Sequence, residues 1–130
     1  MDIHIAEVEG SCILDVVGEI DLYNAYRLKD AVNSILERKT CPFVCNLKKV
    51  TYVDSSGIGA LLSINAALSQ RRILFRIVNV PPFVMKIMEL TRLVGFLPIE
   101  LPGKPAVGVA IGSRNKESMK ARASRAPRAG

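Results

Sequence analysis

The sequence predicts an α/β fold in which helices pack against one mixed, mostly parallel sheet, with the elements in the order β-β-α-β-α-β-α-β. Apolar segments of strand composition alternate with amphipathic segments, which is typical of parallel βαβ units joined by right-handed crossovers. The first two strand-like segments are separated only by Gly10-Ser11, which favours an antiparallel hairpin at the start. The chain has 130 residues, 49% of them hydrophobic and 23% charged, which is enough for one domain around a single core.

The predicted hairpin consists of residues 3–9 and 12–17. The first segment alternates isoleucines with other residues, and the second is almost continuously apolar. A helix follows, for which Asn24 is the predicted N-cap and Pro42 marks the end. The apolar residues of this helix recur at helical spacing and define one packing face: Ala25, Leu28, Val32, Ile35 and Leu36.

The third predicted strand, residues 43–47, is apolar enough to be buried on both faces. Lys48-Lys49 interrupts it before residues 50–53 lead into a short polar segment that contains glycine. A second helix is then predicted to run to about residues 70–72. Its apolar residues again have helical spacing: Ile58, Leu61, Leu62, Ile64 and Leu68.

The remaining elements complete the predicted sheet. Residues 73–80 are rich in strand-forming side chains and predict a fourth strand. Pro81-Pro82 then provides a turn and the first position of a third helix. Residues 96–101 predict a short last strand, so we expect one domain over residues 1–103.

Charge distinguishes this domain from the rest of the chain. Residues 1–103 contain 11 basic and 11 acidic residues, whereas residues 104–130 contain 7 basic residues and 1 acidic residue. The second segment therefore carries the whole net charge of +6. Because it has few sizeable apolar side chains, it is predicted to be a basic, disordered C-terminal tail. It lacks interleaved aromatic residues, so no specific binding of nucleic acid is expected.

Composition also bears on location and cofactors. The first ten residues contain three acidic residues and no apolar signal-peptide region, and the longest uncharged run, residues 55–70, is too short and polar for a membrane span. The three cysteines form no CxxC pair, and His4 is the sole histidine. We therefore expect buried, reduced thiols, no metal site or other cofactor, and a cytoplasmic protein.

The segment Asp54-Ser55-Ser56-Gly57-Ile58-Gly59 joins the third predicted strand to the second helix. Asp and Ser are favoured at helix N-caps because their oxygens accept hydrogen bonds from the N–H groups that lack partners there. A helix N-terminus also favours anions, phosphate included. Taken alone, the segment is interpreted as an ordinary N-cap.

Two enzyme classes are associated with serine or glycine at such a junction, and neither is supported. A serine hydrolase would need a base and a G-x-S-x-G arrangement, which the residues around Ser55 and Ser56 lack. A phosphate-binding loop would need a Lys followed by Ser or Thr after its glycines, but Ala60 follows Gly59. We therefore expect no catalytic residue and no enzymatic activity.

Three segments together resemble the STAS domain, and more specifically the bacterial anti-sigma-factor antagonists. They are Gly18-Glu19-Ile20-Asp21, the Asp54–Gly59 segment, and the third helix ending in Leu90-Thr91-Arg92-Leu93. The resemblance covers about residues 3–101. Arg92 departs from the family, which usually has glycine there, so we expect the third helix to end elsewhere, at Gly95.

The resemblance implies a regulatory function without catalysis. In this family a cytoplasmic protein binds an anti-sigma factor that is also a serine kinase, and thereby frees the sigma factor. The kinase then phosphorylates a serine of the motif with ATP, the complex dissociates, and a PP2C-type phosphatase resets the cycle. The implied phosphorylated residue is Ser56, with Ser55 as the second candidate. The implied partner surface comprises Asp21, Asp54, Ser55, Gly57 and Ile58, and the protein is expected to be a monomer.

A second hypothesis assigns the same fold another role, as a scaffold subunit of a stressosome-like signalling assembly or of a lipid-transport complex. Such a protein would form a complex whose lifetime does not depend on serine phosphorylation. No motif specifies which sigma factor, kinase or phosphatase would be involved.

Overall fold

The computed structural model describes residues 1–101, which form a four-stranded sheet and three α-helices. The strands are β1 (Asp2–Val8), β2 (Ser11–Ile20), β3 (Phe43–Val53) and β4 (Phe75–Val78). The helices are α1 (Tyr26–Leu36), α2 (Ser55–Gln70) and α3 (Pro82–Leu90), and a 3-10 turn spans Val94–Phe96. The predicted α/β class is confirmed. The predicted tail, residues 104–130, lies outside the described residues.

The sheet is mixed and mostly parallel, as predicted. Its strands lie in the order β1-β2-β3-β4, with β1 antiparallel to β2 and both other pairs parallel. Since parallel neighbours need a crossover connection, α1 joins β2 to β3 and α2 joins β3 to β4. The C-terminal ends of β2 and β3 therefore lie side by side, and each leads through a short connection into a helix.

The core lies on one face of this sheet. Buried residues alternate along β2, β3 and β4, so their side chains share a face, and α1 and α2 cover it with their own apolar residues. On the other face Asp15 and Asn46 are half-buried, and Asn46 Nδ2 donates to Asp15 Oδ1 at 2.8 Å. The largest fully buried side chains are Phe43, Leu14, Ile20, Leu28, Ile35, Leu47, Leu61, Leu68, Ile77 and Met88.

β3 is continuous where an interruption was predicted. Lys48-Lys49 remains within the strand, but the pairing with β2 shifts register at two places, each of which leaves one extra residue on β3. Both lysines are exposed, while Leu47 and Val50 on either side are buried. The bulges thus keep the charges in water without ending the strand.

The predicted last strand, residues 96–101, is reduced to a single parallel bridge between Ile99 and Ile77 of β4. Ile77 donates its N–H to the carbonyl of Pro98 at 2.9 Å, and Glu100 donates to the carbonyl of Ile77 at 2.8 Å. A proline has no N–H to extend such a ladder. The edge of the sheet is therefore covered by a short extended segment.

α3 ends at Leu90 in a Schellman motif built on arginine, so the expectation that it would end at Gly95 is wrong. Arg92 adopts φ 61°, and the N–H of Leu93 donates to the carbonyl of Met88 at 2.8 Å. The arginine takes the left-handed conformation that glycine usually supplies, at a cost of about 1 kcal/mol.

The three cysteines are buried free thiols, as expected. Burial raises the pKa of the Cys45 thiol from 9.0 to about 12. Burial also raises the pKa of Cys41 to about 12, helped by its hydrogen bond to Cys12. The Cys41 and Cys45 thiols therefore stay protonated at neutral pH and behave as small core side chains.

Two further observations concern residues 1–101 only. None of their helices combines the length and the apolar character that crossing a membrane requires. Nor do these residues contain a cluster of three or more side chains suited to hold a metal ion.

Candidate functional site

Asp54 is the N-cap of α2. It follows the last residue of β3, and its own backbone is extended. One carboxylate oxygen, Oδ1, accepts hydrogen bonds from the N–H groups of Ser56 at 2.8 Å and Gly57 at 3.3 Å. The capping interpretation made from the sequence is confirmed.

The other carboxylate oxygen of Asp54 holds a distant loop. Oδ2 accepts from the backbone N–H of Leu22 at 3.2 Å, although Leu22 lies 32 residues earlier in the connection between β2 and α1. The N–H of Asp54 also donates to the carbonyl of Ile20, the last residue of β2, at 3.2 Å. One side chain thus joins the start of α2 to the loop that precedes α1.

That loop is shaped by its own side chains. Asp21 Oδ1 accepts from the N–H groups of Tyr23 at 2.9 Å and Asn24 at 3.2 Å. Asn24 Oδ1 accepts from the N–H of Asp21 at 2.9 Å, and Asn24 Nδ2 donates to the carbonyl of Glu19 at 2.9 Å. The prediction that Asn24 is the N-cap of α1 is therefore wrong. Ala25 occupies that position without a side-chain cap, because the asparagine is used to fold the loop.

The two serines occupy the first two positions of α2. Ser55 is exposed and Ser56 is half-buried. Among the described residues neither hydroxyl takes part in a hydrogen bond, since only the N–H of Ser56 is used by the cap. The backbone of Ser56 is thus fixed at the helix N-terminus, while its hydroxyl makes no hydrogen bond to the described residues.

Gly57 and Ile58 face the interior. A Cβ added to Gly57 would lie 2.8 Å from Cγ2 of Ile20 and 2.8 Å from Cγ1 of Val53, so the first turn of α2 rests directly on the ends of β2 and β3. Ile58 is only 4% exposed and belongs to the core. Of the residues expected on a partner surface, the accessible ones are therefore Asp21, Asp54 and Ser55, together with Ser56.

Among the described residues, no imidazole lies beside the serine hydroxyls. His4 lies on β1, opposite Asp15, with the whole of β2 between it and β3. The first turn of α2 is the N-terminus of a 16-residue helix and carries its partial positive charge. Such an end stabilises an added negative charge.

The sequence reasoning missed four exposed side chains, which lie in the connection between β2 and α1, at the start of α1 and near the end of β3. Leu22, Tyr23, Tyr26 and Tyr52 are 68%, 84%, 60% and 49% exposed, respectively. We call these four residues the aromatic rim. They include all three tyrosines of the chain, and the signal that could have found them is that each tyrosine lies within five residues of Asp21 or Asp54 in sequence.

Two curated relatives are named as antagonists of anti-sigma factors. The chain is 24% identical over 100 residues to the anti-sigma F factor antagonist of Paenibacillus polymyxa, covering 76% of this chain and 86% of that protein. It is 30% identical over 78 residues to the anti-sigma-B factor antagonist of Staphylococcus aureus, covering 60% of this chain and 72% of that protein.

Solved structures give the same fold. The anti-sigma factor antagonist SpoIIAA in its unphosphorylated form matches with a TM-score of 0.61 at 16% identity, over 95% of this chain and 98% of that one. The Bacillus cell fate determinant SpoIIAA in its phosphorylated form matches with a TM-score of 0.60 at 14% identity, over 92% and 97%. At these identities the likeness shows the fold.

The family assignment comes from the sequence itself. A family model described as the STAS domain matches residues 2–104, which include every element of the sheet and the whole Asp54–Gly59 segment. The chain belongs to the STAS domain family.

Proposed function

We propose that this protein is an anti-sigma factor antagonist that binds a serine-kinase anti-sigma factor while unphosphorylated and is released when Ser56 is phosphorylated. The observation that carries the proposal is the position of Ser56 at the second residue of α2, with its backbone fixed by Asp54 and its hydroxyl unengaged. The names of its relatives support the same role. The proposal includes a cytoplasmic monomer and a PP2C-type phosphatase that removes the phosphate.

The fold can accept a phosphate at Ser56 without rearrangement. A phosphoserine carries a charge of about −1.5 to −2 at neutral pH, and the N-terminus of a helix is a favourable place for it. Ser56 is half-buried, not enclosed, so its phosphate can extend into solvent. The unmodified and modified proteins are then expected to share one structure and to differ in surface charge.

That difference in charge is sufficient to release a partner. The phosphate would be added close to the carboxylate of Asp54, in a surface fitted to a small neutral hydroxyl. Burying an unpaired charge in an interface costs several kcal/mol, and about 1.4 kcal/mol corresponds to a tenfold change in affinity. A local electrostatic change therefore accounts for dissociation without a conformational change elsewhere.

Accessibility and resemblance favour different serines. Ser55 is the more exposed of the two. The resemblance to the family names Ser56, and the free hydroxyl at the second helical position is consistent with it. Mass-spectrometric mapping of the phosphate distinguishes the two serines.

The test is phosphate transfer to a mapped residue. The purified protein is incubated with ATP and, in turn, each kinase-type anti-sigma factor of the organism that encodes it, and the modified residue is identified by mass spectrometry. We expect phosphate on Ser56, no incorporation into Ser56→Ala, and normal incorporation into the matched variant Ser55→Ala. Phosphate on neither serine would overturn the proposal, and a stable complex unaffected by ATP would instead favour the scaffold role.

A further inference from the structure

Two of the three cysteines lie against each other in the core, although they are 29 positions apart in sequence. The thiol of Cys41 donates a hydrogen bond to Sγ of Cys12, with the two sulfurs 3.2 Å apart. Cys12 is the second residue of β2, and Cys41 lies in the connection between α1 and β3. The fold therefore brings together two thiols from separate elements.

The backbone around the two thiols is already arranged as a disulfide would need it. The N–H of Cys12 donates to the carbonyl of Pro42 at 2.8 Å, and Cys12 lies beside Phe43 where β2 pairs with β3. An S–S bond is about 2.05 Å long, so the sulfurs would have to approach by only about 1 Å. Residues 39–42 belong to no helix or strand, so this connection can move by that amount without breaking a regular element.

Cys45 provides an internal comparison. It lies on β3 and is 1% exposed, so it is buried as deeply as Cys12, which is 2% exposed. Its thiol makes no hydrogen bond to the other residues between 1 and 101, whereas the other two thiols bond to each other. Proximity, not burial, thus distinguishes the pair from the third cysteine.

We propose that Cys12 and Cys41 are a reversible modification site, at which a hydroperoxide converts the two thiols into an intramolecular disulfide. With hydrogen peroxide, Cys41 attacks as the thiolate, the O–O bond breaks, and the departing hydroxide takes up a proton to form water. Cys12 then attacks the sulfur of the resulting sulfenic acid, the S–O bond breaks, and a second water leaves. Two thiols lose two electrons and two protons, and one peroxide becomes two waters.

The surroundings of the pair fix the kind of oxidant and the rate. Cys41 is 7% exposed and Cys12 less, so the oxidant has to be small. Burial and the hydrogen bond to Cys12 raise the pKa of Cys41 to about 12, so little thiolate is present at neutral pH. The disulfide therefore forms slowly, on the order of hours in excess peroxide.

The disulfide would act on stability and not on the serine site. It closes a loop that contains the whole of α1, which restricts the unfolded chain. The pair lies at the N-terminal ends of β2 and β3, whereas Ser56 follows the C-terminal end of β3, an 11-residue strand that spans more than about 30 Å. The inference is thus independent of the proposed function, and phosphate transfer to Ser56 should be the same before and after oxidation.

The inference is tested by mapping disulfides in the folded protein after treatment with hydrogen peroxide. Remaining thiols are alkylated, the protein is digested with trypsin, and linked peptides are identified by mass spectrometry. Trypsin leaves Cys12 in the peptide 1–27 and both Cys41 and Cys45 in the peptide 40–48. A link between these peptides in Cys45→Ala therefore identifies the proposed bond, and fragmentation within residues 40–48 identifies it in the wild type.

The urea-unfolded wild-type protein is the matched control for proximity. Cys41 and Cys45 are at similar distances from Cys12 along the sequence, so closing either loop costs almost the same entropy in the unfolded chain. We expect Cys12 to be linked to both in the unfolded protein and to Cys41 alone in the folded protein. The same mixture of links in both states would overturn the inference.

Unfolding gives a second, independent readout. Oxidation of Cys45→Ala should raise its urea midpoint by about 1–2 M, and dithiothreitol should reverse this change. The double variant Cys12→Ala/Cys45→Ala, which retains only Cys41, should show no increase after peroxide. Thiols of the folded wild type that all remain open to alkylation, sulfinic acid in place of the link, or a link between two molecules would each overturn the inference and leave the proposed function intact.

Discussion

The backbone N–H of Leu22 donates to Oδ2 of Asp54 at 3.2 Å, across 32 residues of sequence. The same carboxylate caps α2 through its other oxygen, so one side chain fixes both the helix that carries the serines and the loop that carries Tyr23. Asp54 therefore links the two parts of the proposed contact surface, while Asp21 and Asn24 shape the loop itself. Both oxygens of the Asp54 carboxylate are thus used as hydrogen-bond acceptors.

Asp54→Ala should destabilise the protein by about 1–2 kcal/mol, because the N–H groups of Ser56 and Gly57 lose their acceptor. It should also speed hydrogen exchange of the Leu22 amide. Urea unfolding and amide exchange measure the two effects. Ser55→Ala is the control, since that residue is exposed, and it should change stability by less than about 0.5 kcal/mol. Equal stability of Asp54→Ala and the control would contradict this account of the cap.

Two glycines of α2 should respond in opposite directions to the same substitution. Gly57→Ala places a Cβ 2.8 Å from both Ile20 and Val53, so it should cost about 1–3 kcal/mol through overpacking. Gly59→Ala meets nothing within 4 Å and should stabilise the helix by about 0.5–1 kcal/mol. Thermal or urea unfolding compares the two variants. A stabilising Gly57→Ala would show that the start of α2 does not rest on the strand ends.

The Cys45 thiol should make the protein less stable in alkali. Burial raises its pKa from 9.0 to about 12, so above pH 9 the unfolded chain releases a proton that the folded protein keeps. Its contribution is fully present below pH 9 and is lost as pH rises towards 12, by about 1.4 kcal/mol per pH unit.

Urea unfolding under reducing conditions at several pH values between 8 and 11 provides the measurement. Cys45→Ala should show a correspondingly shallower dependence, although Cys41 remains in both proteins. Identical pH dependence of the two proteins over this range would show that the Cys45 thiol ionises in the folded state.

Sequence patterns predicted correctly those elements that are determined by residues close together in sequence. The helical spacing around Leu28 and Leu61 identified α1 and α2, and Asp54 was a recognisable cap because the cap lies within three residues of its partners. The bulges in β3 were missed because they depend on the register with β2. Arg92 was misjudged because glycine is preferred, not required, in a left-handed conformation.

The candidate site was predictable only in part, because some of its contacts depend on how the strands pair. The serines and Asp54 stand together in sequence, so their grouping was visible. The hydrogen bond to Leu22 joins residues from different connections and becomes evident only once β2 and β3 are paired in parallel. Burial of Ile58 and exposure of Tyr23 follow from which face of each element meets the sheet, and residue type alone does not decide this.

The most direct test of the central claim is the dissociation of the preformed complex with the kinase-type anti-sigma factor after ATP is added. Dissociation can be followed in real time with the partner immobilised. The proposed function predicts that the wild-type protein and Ser55→Ala are released on ATP addition, whereas Ser56→Ala stays bound. Release of Ser56→Ala at the wild-type rate would contradict the assignment of Ser56 as the residue that controls binding.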